Sequence, residues 1–352
     1  MNPRVLIAIS GGVDSTVAVY LLKQQGFDVT AIHFKLYSKA ESEMGKESLD
    51  AITSRLNIPL VHLDLSADFD KTVYRYFASE YSLGRTPCPC SFCNLHIKWK
   101  YLYQYAIENN FHYFSTGHYV RVGNVSERIR VIKGVDKAKD QSYFLWNLPE
   151  EYLSKSLMPL GEYTKLEVKQ IATRIGFANI ASKPESMGVC FLRGEDYRAI
   201  IGKNQDKQSN AGGDIVDEKG EIIGRHQGIY RYTVGQKRGL PNLPKEKCVI
   251  KIDHKTKRLH VGPWDSLFYN TLKLENCTLN GLNEGIYSDV TVMVRGFGKN
   301  PEQKCTLIIN ENREAVIELV DPAWAPMPGQ PTVIYKDDIL LGGGYLQSAW
   351  NR

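Results

Sequence analysis

Two glycines, two serines and an aspartate lie within residues 10–15, Ser-Gly-Gly-Val-Asp-Ser. An apolar run at 5–9 precedes them and a helix-like run at 16–25 follows them. A turn between a strand and a helix directs backbone N–H groups and the positive end of the helix dipole to one point, and glycine lets a phosphate approach the backbone. The loop lacks the lysine of a Walker A sequence, so it predicts a phosphate site of another kind.

Three of the seven cysteines lie within six residues, in Thr-Pro-Cys-Pro-Cys-Ser-Phe-Cys-Asn at 86–94. Cys90 and Cys93 are spaced as a metal clip, as a redox pair, or as a nucleophile with a companion thiol. A structural zinc site needs a second Cys or His pair, and none lies near Cys190 in the sequence. Because two prolines stiffen the segment, we expect it to present its thiols from a fixed loop and not from a helix.

The first 120 residues alternate between strand-like and helix-like patterns, which predicts an α/β fold with a parallel sheet. Ligands of such sheets bind at the carboxyl ends of the strands, where the 10–15 loop and Phe34 both lie. Phe34 is placed to cover an adenine ring, and a core position fits its pattern equally well. A further helical pattern covers 149–176. The strand-like runs are 4–9, 28–34, 59–64 and 112–116, and the helix-like runs lie near 15–25, 45–57, 68–83 and 95–109.

From about residue 205 the sequence changes to short β-rich runs separated by glycines, which is typical of small barrels or sandwiches. We therefore predict three domains: an α/β domain over 1–205, a central β-rich domain over 206–270 and a β-barrel-like domain over 271–352. Isolated cysteines are usually small buried hydrophobic side chains, so three of them are assigned to cores. These are Cys248, Cys277 and Cys305.

A chain of 352 residues with 43% hydrophobic and 24% charged residues is typical of a globular protein of two or three domains. Its apolar runs are too short for a membrane span, and we expect no signal peptide, because the sequence starts almost directly with a strand. The number of cysteines is odd and three of them are clustered, which is more typical of reactive or metal-binding thiols in a reducing cytoplasm than of a disulfide scaffold. The net charge of +5 arises within 93–139, where basic residues alternate with aromatic ones. This pattern suits RNA binding, and equally a solvated helix face over core aromatic residues.

Seven motifs, in this order, resemble those of the tRNA-specific 2-thiouridylases, which are ATP pyrophosphatases that replace the 2-oxygen of the wobble uridine with sulfur. The first motif occurs in several pyrophosphatase families, whereas the ordered set is specific. The resemblance implies a nucleotide-hydrolase-like α/β domain followed by two small β domains. The motifs are the segments 10–15 and 86–94, Thr-Gly-His-Tyr at 116–119, Lys-Asp-Gln-Ser-Tyr-Phe-Leu at 139–145, Glu-Ser-Met-Gly-Val-Cys-Phe at 185–191, Tyr-Thr-Val-Gly-Gln-Lys-Arg-Gly-Leu at 232–240 and Pro-Gly-Gln at 328–330.

The resemblance implies ATP and Mg²⁺ as cofactors, with Asp14 as the magnesium ligand because a carboxylate beside a triphosphate needs a cation between them. It implies the anticodon stem-loop of tRNA and a persulfide-donating sulfur carrier or cysteine desulfurase as partners. Cys93 would be the nucleophilic thiol and Cys190 the persulfide carrier. The segment 184–194 would order over the site and exclude water.

The remaining implied roles are binding contacts. The target base would be lined by Cys88, Pro89 and Cys90. ATP would be held by Ala8, Ile9, Ser10, Gly11, Gly12, Val13, Asp14, Ser15, Phe34 and Gly117. The tRNA would be contacted by His118, Lys139, Asp140, Gln141, Arg295 and Gln330.

Two positions depart from the family pattern, and they leave alternatives open. Many members have Asn at position 88 and Asp at position 90, so Cys90 leaves the acid/base role unassigned. Cys90, Cys93 and Cys190 would instead suit an iron–sulfur cluster with one iron open to sulfide. The β-rich tail at 206–352 argues against a different carbonyl-adenylating ligase. The presence of both Cys93 and Cys190 argues against an RNA-binding protein without catalysis, because binding alone needs neither.

Overall fold

The computed structural model describes residues 2–37, 49–184, 188–192, 194–198, 201, 212–240, 244, 246–296 and 298–352. Contacts within the chain define two compact units. The first comprises Met1–Val73, Cys90–Met187 and Asp338–Leu340, and the second comprises Tyr74–Pro89, Gly188–Asp337 and Leu341–Arg352. The predicted boundaries near 205 and 270 stay predictions. The first lies outside the described residues, and the division into two units does not bear on the second.

From Arg4 to Ser115 strands alternate with helical stretches, as the sequence pattern predicts, whereas three strands follow one another between Tyr113 and Lys133. Two π-helical turns cover Asp70–Tyr74 and Asn94–Lys98, and a short 3-10 helix covers Ser142–Leu145. The elements are β1 (Arg4–Ala8), α1 (Val13–Gln24), β2 (Asp28–Lys35), α2 (Leu49–Leu56), β3 (Leu60–Asp64), α3 (Ser66–Phe69), α4 (Arg75–Ser82), α5 (Pro89–Cys93), α6 (Trp99–Glu108), β4 (Tyr113–Ser115), β5 (Val120–Val125), β6 (Arg128–Lys133), α7 (Glu150–Ser154), β7 (Ser156–Leu157), α8 (Lys165–Arg174) and α9 (Ala178–Ala181).

The first unit is built on a five-stranded parallel sheet with strand order β3–β2–β1–β4–β7. The chain moves outward from β1 in one direction to β2 and β3, and in the other direction to β4 and β7. The order therefore reverses beside β1, and this switch point is where open α/β sheets bind ligands at their carboxyl ends. The 10–15 loop leaves β1 at that point.

Apolar residues of β1 and α1 form the centre of the core of the first unit. Val5 and Ile7 of β1 and Val17 and Leu22 of α1 are fully buried, and they pack with residues of α2, α8 and α9. Gly26, with a φ of +86°, ends α1, because a residue without Cβ adopts this left-handed conformation at little cost. The core thus fixes the start of α1, and with it the loop between Gly11 and Ser15.

The predicted helix over 149–176 is wrong in its middle. The chain forms α7, then the short edge strand β7, and only then α8. Pro159 and Gly161 interrupt the helical pattern, and a Cβ at Gly161 would lie 2.2 Å from the carbonyl oxygen of Val120. The hairpin of β5 and β6, which pairs Val120 with Lys133, has no counterpart in the sequence prediction.

The second unit contains the predicted β-rich structure. The strands are β8 (Gly213–Val216), β9 (Ile222–His226), β10 (Lys247–Asp253), β11 (Arg258–Pro263), β12 (Phe268–Leu279), β13 (Gly285–Met293), β14 (Cys305–Ile309), β15 (Ala315–Trp324), β16 (Pro331–Lys336) and β17 (Ile339–Trp350). One four-stranded sheet has the order β10–β11–β8–β9, and six strands form a closed barrel in the order β12–β15–β14–β13–β16–β17, with β12 paired to β17. The predicted α/β fold followed by small β domains is thereby confirmed.

The three isolated cysteines of this unit lie in its strands. Cys248 and Cys305 are buried, as predicted, and Cys277 is partly buried. Burial raises the pKa of Cys277 and of Cys305 to about 11, which keeps both as unreactive thiols at neutral pH. Across the described parts of the chain, every helix is too short or too polar to span a bilayer.

Candidate active site

The loop after β1 has the geometry of an anion site. Gly11 has a φ of +76°, and α1 starts after Gly12 without a side-chain cap on its first turn. The Ser15 hydroxyl donates to the Gly12 carbonyl at 3.2 Å and accepts from the Ser10 backbone N–H at 3.2 Å. These bonds close the loop, and among the described residues no side chain makes a capping hydrogen bond to the first turn of α1, where the helix dipole favours a phosphate.

Two other expected ATP residues lie at the same edge of the sheet. Gly117 follows β4 and lies against the start of α1, since a Cβ there would lie 3.0 Å from the backbone nitrogen of Ser15. Phe34 is a partly buried residue near the carboxyl end of β2, where it pairs with Leu63. Because β1 lies between β2 and β4, the structure brings the loop, Phe34 and Gly117 to one end of the sheet.

The carboxylate of Asp14 has two close partners that the sequence reasoning missed. Lys165 Nζ lies 2.7 Å from Oδ1 and 2.8 Å from Oδ2, and the Tyr119 hydroxyl donates to Oδ1 at 2.6 Å. Tyr119 follows Gly117 by two residues within a motif already recognised, so a close reading of 116–119 offered a signal for it. Lys165 stands at the start of α8 with no motif around it that the sequence analysis used.

The expectation that 86–94 presents its thiols from a loop is wrong from Pro89 onward. Pro89 is the first residue of α5, a position that suits proline because its missing N–H has no helical partner there. The same stiffness that suggested a loop therefore starts a helix. Cys93 ends α5 with a side chain that is 5% exposed. Asn94 Nδ2 then donates to the Phe144 carbonyl at 3.1 Å, which connects this motif to the motif at 139–145.

Cys190 lies in the second unit, where its thiol is exposed. It stands on a turn in which the Leu192 N–H donates to the Val189 carbonyl at 3.1 Å. The next residue, Phe191, contacts Phe77 of α4 edge to face, with ring centroids 5.1 Å apart. Phe191 thus anchors the turn, and the neighbouring Cys190 is an exposed residue. The predicted ordering of 184–194 over a site includes residues 185–187 and 193, which lie outside the described residues.

The described residues contain no group of three His, Cys, Asp or Glu side chains arranged to hold a metal ion. Cys90, partly exposed, belongs with Cys93 to the first unit, and Cys190 belongs to the second. The cluster alternative draws on both units, and it stays a prediction.

Comparisons with known proteins agree with this arrangement. Residues 3–194 match the family model described as tRNA methyl transferase HUP domain, residues 204–263 the tRNA methyl transferase PRC-barrel domain, and residues 272–346 the aminomethyltransferase beta-barrel domain. The tRNA-specific 2-thiouridylase MnmA 2 of Phocaeicola vulgatus is 37% identical over 350 residues, covering 98% of each chain. The enzyme MnmA of Lachnoclostridium phytofermentans is 37% identical over 97% of this chain and 98% of its own.

The chain belongs to the tRNA-specific 2-thiouridylase family. The resemblance expected from the seven motifs is thereby confirmed, and the full-length relatives, rather than the wording of the domain descriptions, name the reaction. A solved structure, the U34-tRNA thiolase NcsA from Methanococcus maripaludis with its [4Fe-4S] cluster, shows a partial likeness with a TM-score of 0.34 and 20% identity over 59% of this chain and 68% of that one.

Within the second unit, two of the 2-thiouridylase motifs meet. The Thr86 N–H donates to the Pro328 carbonyl at 2.9 Å, which joins the segment before the thiols to the Pro-Gly-Gln motif. Arg85 forms ion pairs with Glu80, at 2.7 Å, and with Glu275. Gly329 lies against this cluster with a φ of +89°, and a Cβ there would lie 2.9 Å from the Glu80 carboxylate. The approach to Cys88 and the loop that contains Gln330 are therefore fixed to each other.

Asp140 and Arg295, two of the tRNA contacts expected for a 2-thiouridylase, already form hydrogen bonds within the protein. Asp140 accepts from the Gly134 N–H at 3.0 Å and from the Ser142 hydroxyl at 2.6 Å, and burial raises the pKa of its carboxyl. Arg295 donates to the carbonyls of Trp324 and Ala325, at 3.0 Å for the second. Their side chains hold local backbone in place. Lys139, Gln141 and Gln330 are partly exposed.

The aromatic residues of 93–139 divide between two roles. Trp99, Phe114 and Tyr119 are buried in the first unit, as the core interpretation predicts. Tyr113 is 37% exposed. The pattern that suggested RNA binding therefore consists in part of core residues, which lie at the start of α6, in β4 and just before β5.

His118 should make the stability of this 2-thiouridylase depend on pH. Burial, with the charge of Lys98 adding to it, lowers the pKa of His118 to about 3, from an ordinary value of 6.5. Between these values the unfolded chain binds a proton that the folded chain does not, so stability falls as pH drops below 6.5. The slope from this one group is at most about 1.4 kcal/mol per pH unit. In urea unfolding, the free energy of unfolding should fall less between pH 7 and pH 5 for His118→Gln than for the wild type.

The exposed His62 of β3 provides a matched control for that measurement. In His62→Gln, the free energy of unfolding should differ between pH 7 and pH 5 by the same amount as in the wild type. An unchanged difference in His118→Gln would show that the His118 imidazole is not held neutral by the fold.

Proposed function

We propose that the protein uses ATP to adenylate the 2-carbonyl oxygen of the wobble uridine in tRNA and then replaces that oxygen with sulfur from a cysteine persulfide. The observation that carries this proposal is the full-length relationship to proteins named for 2-thiouridine formation, together with the uncapped loop at 10–15. The products are 2-thiouridine, AMP and pyrophosphate. We place the reaction in the cytoplasm.

In the first step the loop 8–15 holds the triphosphate, with Phe34 and Gly117 at the adenosine. Backbone N–H groups at the start of α1 stabilise negative charge on the phosphates. Asp14 is the residue that would hold Mg²⁺, which supplies further charge neutralisation when bound. The uridine oxygen attacks the α-phosphorus and pyrophosphate leaves, so a poor leaving group becomes a phosphate ester.

In the second step a persulfide on Cys190 supplies the sulfur. Its terminal sulfur attacks carbon 2, and the carbon–oxygen bond breaks as AMP departs. The Cys93 thiolate then attacks Cys190 Sγ, which releases the thiocarbonyl product and leaves a Cys93–Cys190 disulfide. A thiol reductant reduces this disulfide, and a sulfur carrier or cysteine desulfurase loads the next persulfide. The exposure of Cys190 suits a thiol that must accept sulfur from another protein.

The substrate contacts follow from the same assignment. Cys88, Pro89 and Cys90 line the target base, and the anticodon stem-loop contacts His118, Lys139, Asp140, Gln141, Arg295 and Gln330.

Mass spectrometry of tRNA nucleosides tests the proposed function. Cells lacking this protein should lose 2-thiouridine and its derivatives from bulk tRNA, and the wild-type gene should restore them. A normal 2-thiouridine content without the protein, in a cell that has no second copy of the family, would contradict the proposal.

A further inference from the structure

The ion pair between Lys165 and Asp14 lies at the start of the proposed phosphate site. The Lys165 side chain is 12% exposed and that of Asp14 is 35% exposed, so the pair is shielded on the lysine side and open on the carboxylate side. Asp14 is the second residue of α1, where the helix dipole already favours negative charge. The Lys165 ammonium therefore lies where a bound triphosphate would bring several negative charges.

The backbone of Lys165 is held firmly. Lys165 is the first residue of α8, which begins with a capping box formed by Thr164 and Glu167. Its backbone N–H donates to Asp136 Oδ2 at 2.9 Å. Its ammonium lies 5.6 Å from the centre of the Tyr119 ring, a cation–π contact. The backbone at Lys165 is thus fixed, and its side chain carries the ammonium to the Asp14 carboxylate.

The loop itself contains no basic residue between Ala8 and Ser15. The loop therefore offers the triphosphate only neutral hydrogen-bond donors of its backbone and its serine side chains. Lys165 approaches from 151 residues further along the chain and supplies the positive charge that the loop sequence lacks.

We propose that Lys165 is a polyphosphate-binding residue. Its ammonium pairs with Asp14 in the free protein and pairs with the phosphates instead when Mg²⁺ and ATP bind. Asp14 then becomes available to the metal ion. In the free protein the pair also keeps Asp14 from repelling the incoming nucleotide. This inference rests on the proposed ATP site and adds a residue to it.

Nucleotide binding measured by calorimetry, without turnover, tests the inference. In the presence of Mg²⁺, Lys165→Met should weaken ATP binding by about 10- to 100-fold, the range expected for one lost charge-assisted contact. Binding of adenosine should be unchanged, and Lys165→Arg should retain most of the ATP affinity because it keeps the charge. Thermal unfolding verifies that each variant is folded.

A second pair of measurements separates phosphate binding from a merely structural ion pair. With Mg²⁺ removed by a chelator, Asp14→Asn should bind ATP more tightly than the wild type, because it removes a negative charge and frees the lysine. Lys165→Met should bind more weakly under the same conditions. If the pair only stabilised the loop, both variants would change the affinity in the same direction, which would overturn the inference.

The outcomes also separate this inference from the proposed function. Wild-type protein that binds no ATP would contradict the ATP site itself. Wild-type protein that binds ATP, with Lys165→Met binding it equally well, would overturn only the role of Lys165.

Discussion

Replacing Cys190 with serine should abolish 2-thiouridine formation while tRNA-dependent release of pyrophosphate remains measurable. A hydroxyl cannot carry a persulfide, so the sulfur step has no donor atom. In the proposed reaction adenylation precedes that step and would use the loop at 10–15, which belongs to the other unit of the chain. The measurement is a single-turnover reaction with purified tRNA, in which pyrophosphate and thiolated nucleoside are quantified in the same sample.

Cys277→Ser is the matched control, since it removes a partly buried thiol from β12 of the same unit. Both products should form as in the wild type. Normal thiolation by Cys190→Ser would remove the persulfide assignment. Loss of pyrophosphate release in that variant would also contradict the account, because it would place Cys190 before adenylation.

Replacing Asp14 with asparagine should lower pyrophosphate release by at least about 100-fold at saturating Mg²⁺. The amide has nearly the shape of the carboxylate but not its charge, so it would no longer hold the metal ion on the phosphates. It also leaves Lys165 without its anionic partner. The rate of pyrophosphate release with tRNA present, measured over a range of Mg²⁺ concentrations, gives the size of the effect.

Asp50→Asn is the control for this prediction, because Asp50 is an exposed carboxylate in the first turn of α2 in the same unit. Its rate should match that of the wild type. If Asp14→Asn released pyrophosphate at the wild-type rate, the 10–15 loop would be only a turn between a strand and a helix.

The sequence predicted the parallel sheet and the placement of its loop because both depend on local patterns. The apolar run of β1 and the glycines of the loop lie next to each other in the chain, and Gly26 and Gly176 mark helix ends by their own conformation. The alternation of strands and helices predicted parallel strands, whereas their order in the sheet was not predicted and comes from the structure.

The prediction of a loop at 86–94 was wrong from Pro89 onward because proline has opposite effects at different positions of a helix. Within a helix it breaks the hydrogen-bond pattern, but at the first position it fits, and Pro89 occupies that position. Which of the two applies depends on the residues that follow, here the continuous helical stretch through Asn94 into α6.

The partners of Asp14 were missed because they are set by tertiary structure. Lys165 reaches Asp14 across 151 residues, and nothing in the local sequence of α8 distinguishes it from a lysine on a solvated helix. The burial of Cys93 likewise depends on packing, through contacts such as that of Asn94 with Phe144. Residue types can predict which chemistry is available, whereas the fold decides which groups meet.

The fate of one oxygen atom tests the central claim most directly. A tRNA that carries oxygen-18 at position 2 of its wobble uridine is treated with the protein, ATP and a persulfide donor, and the AMP produced is weighed by mass spectrometry. We expect one oxygen-18 atom in the phosphate of AMP for each 2-thiouridine formed, because the uridine oxygen departs with the adenylate. Thiolated tRNA accompanied by unlabelled AMP would show that the oxygen leaves by another route and would contradict the account.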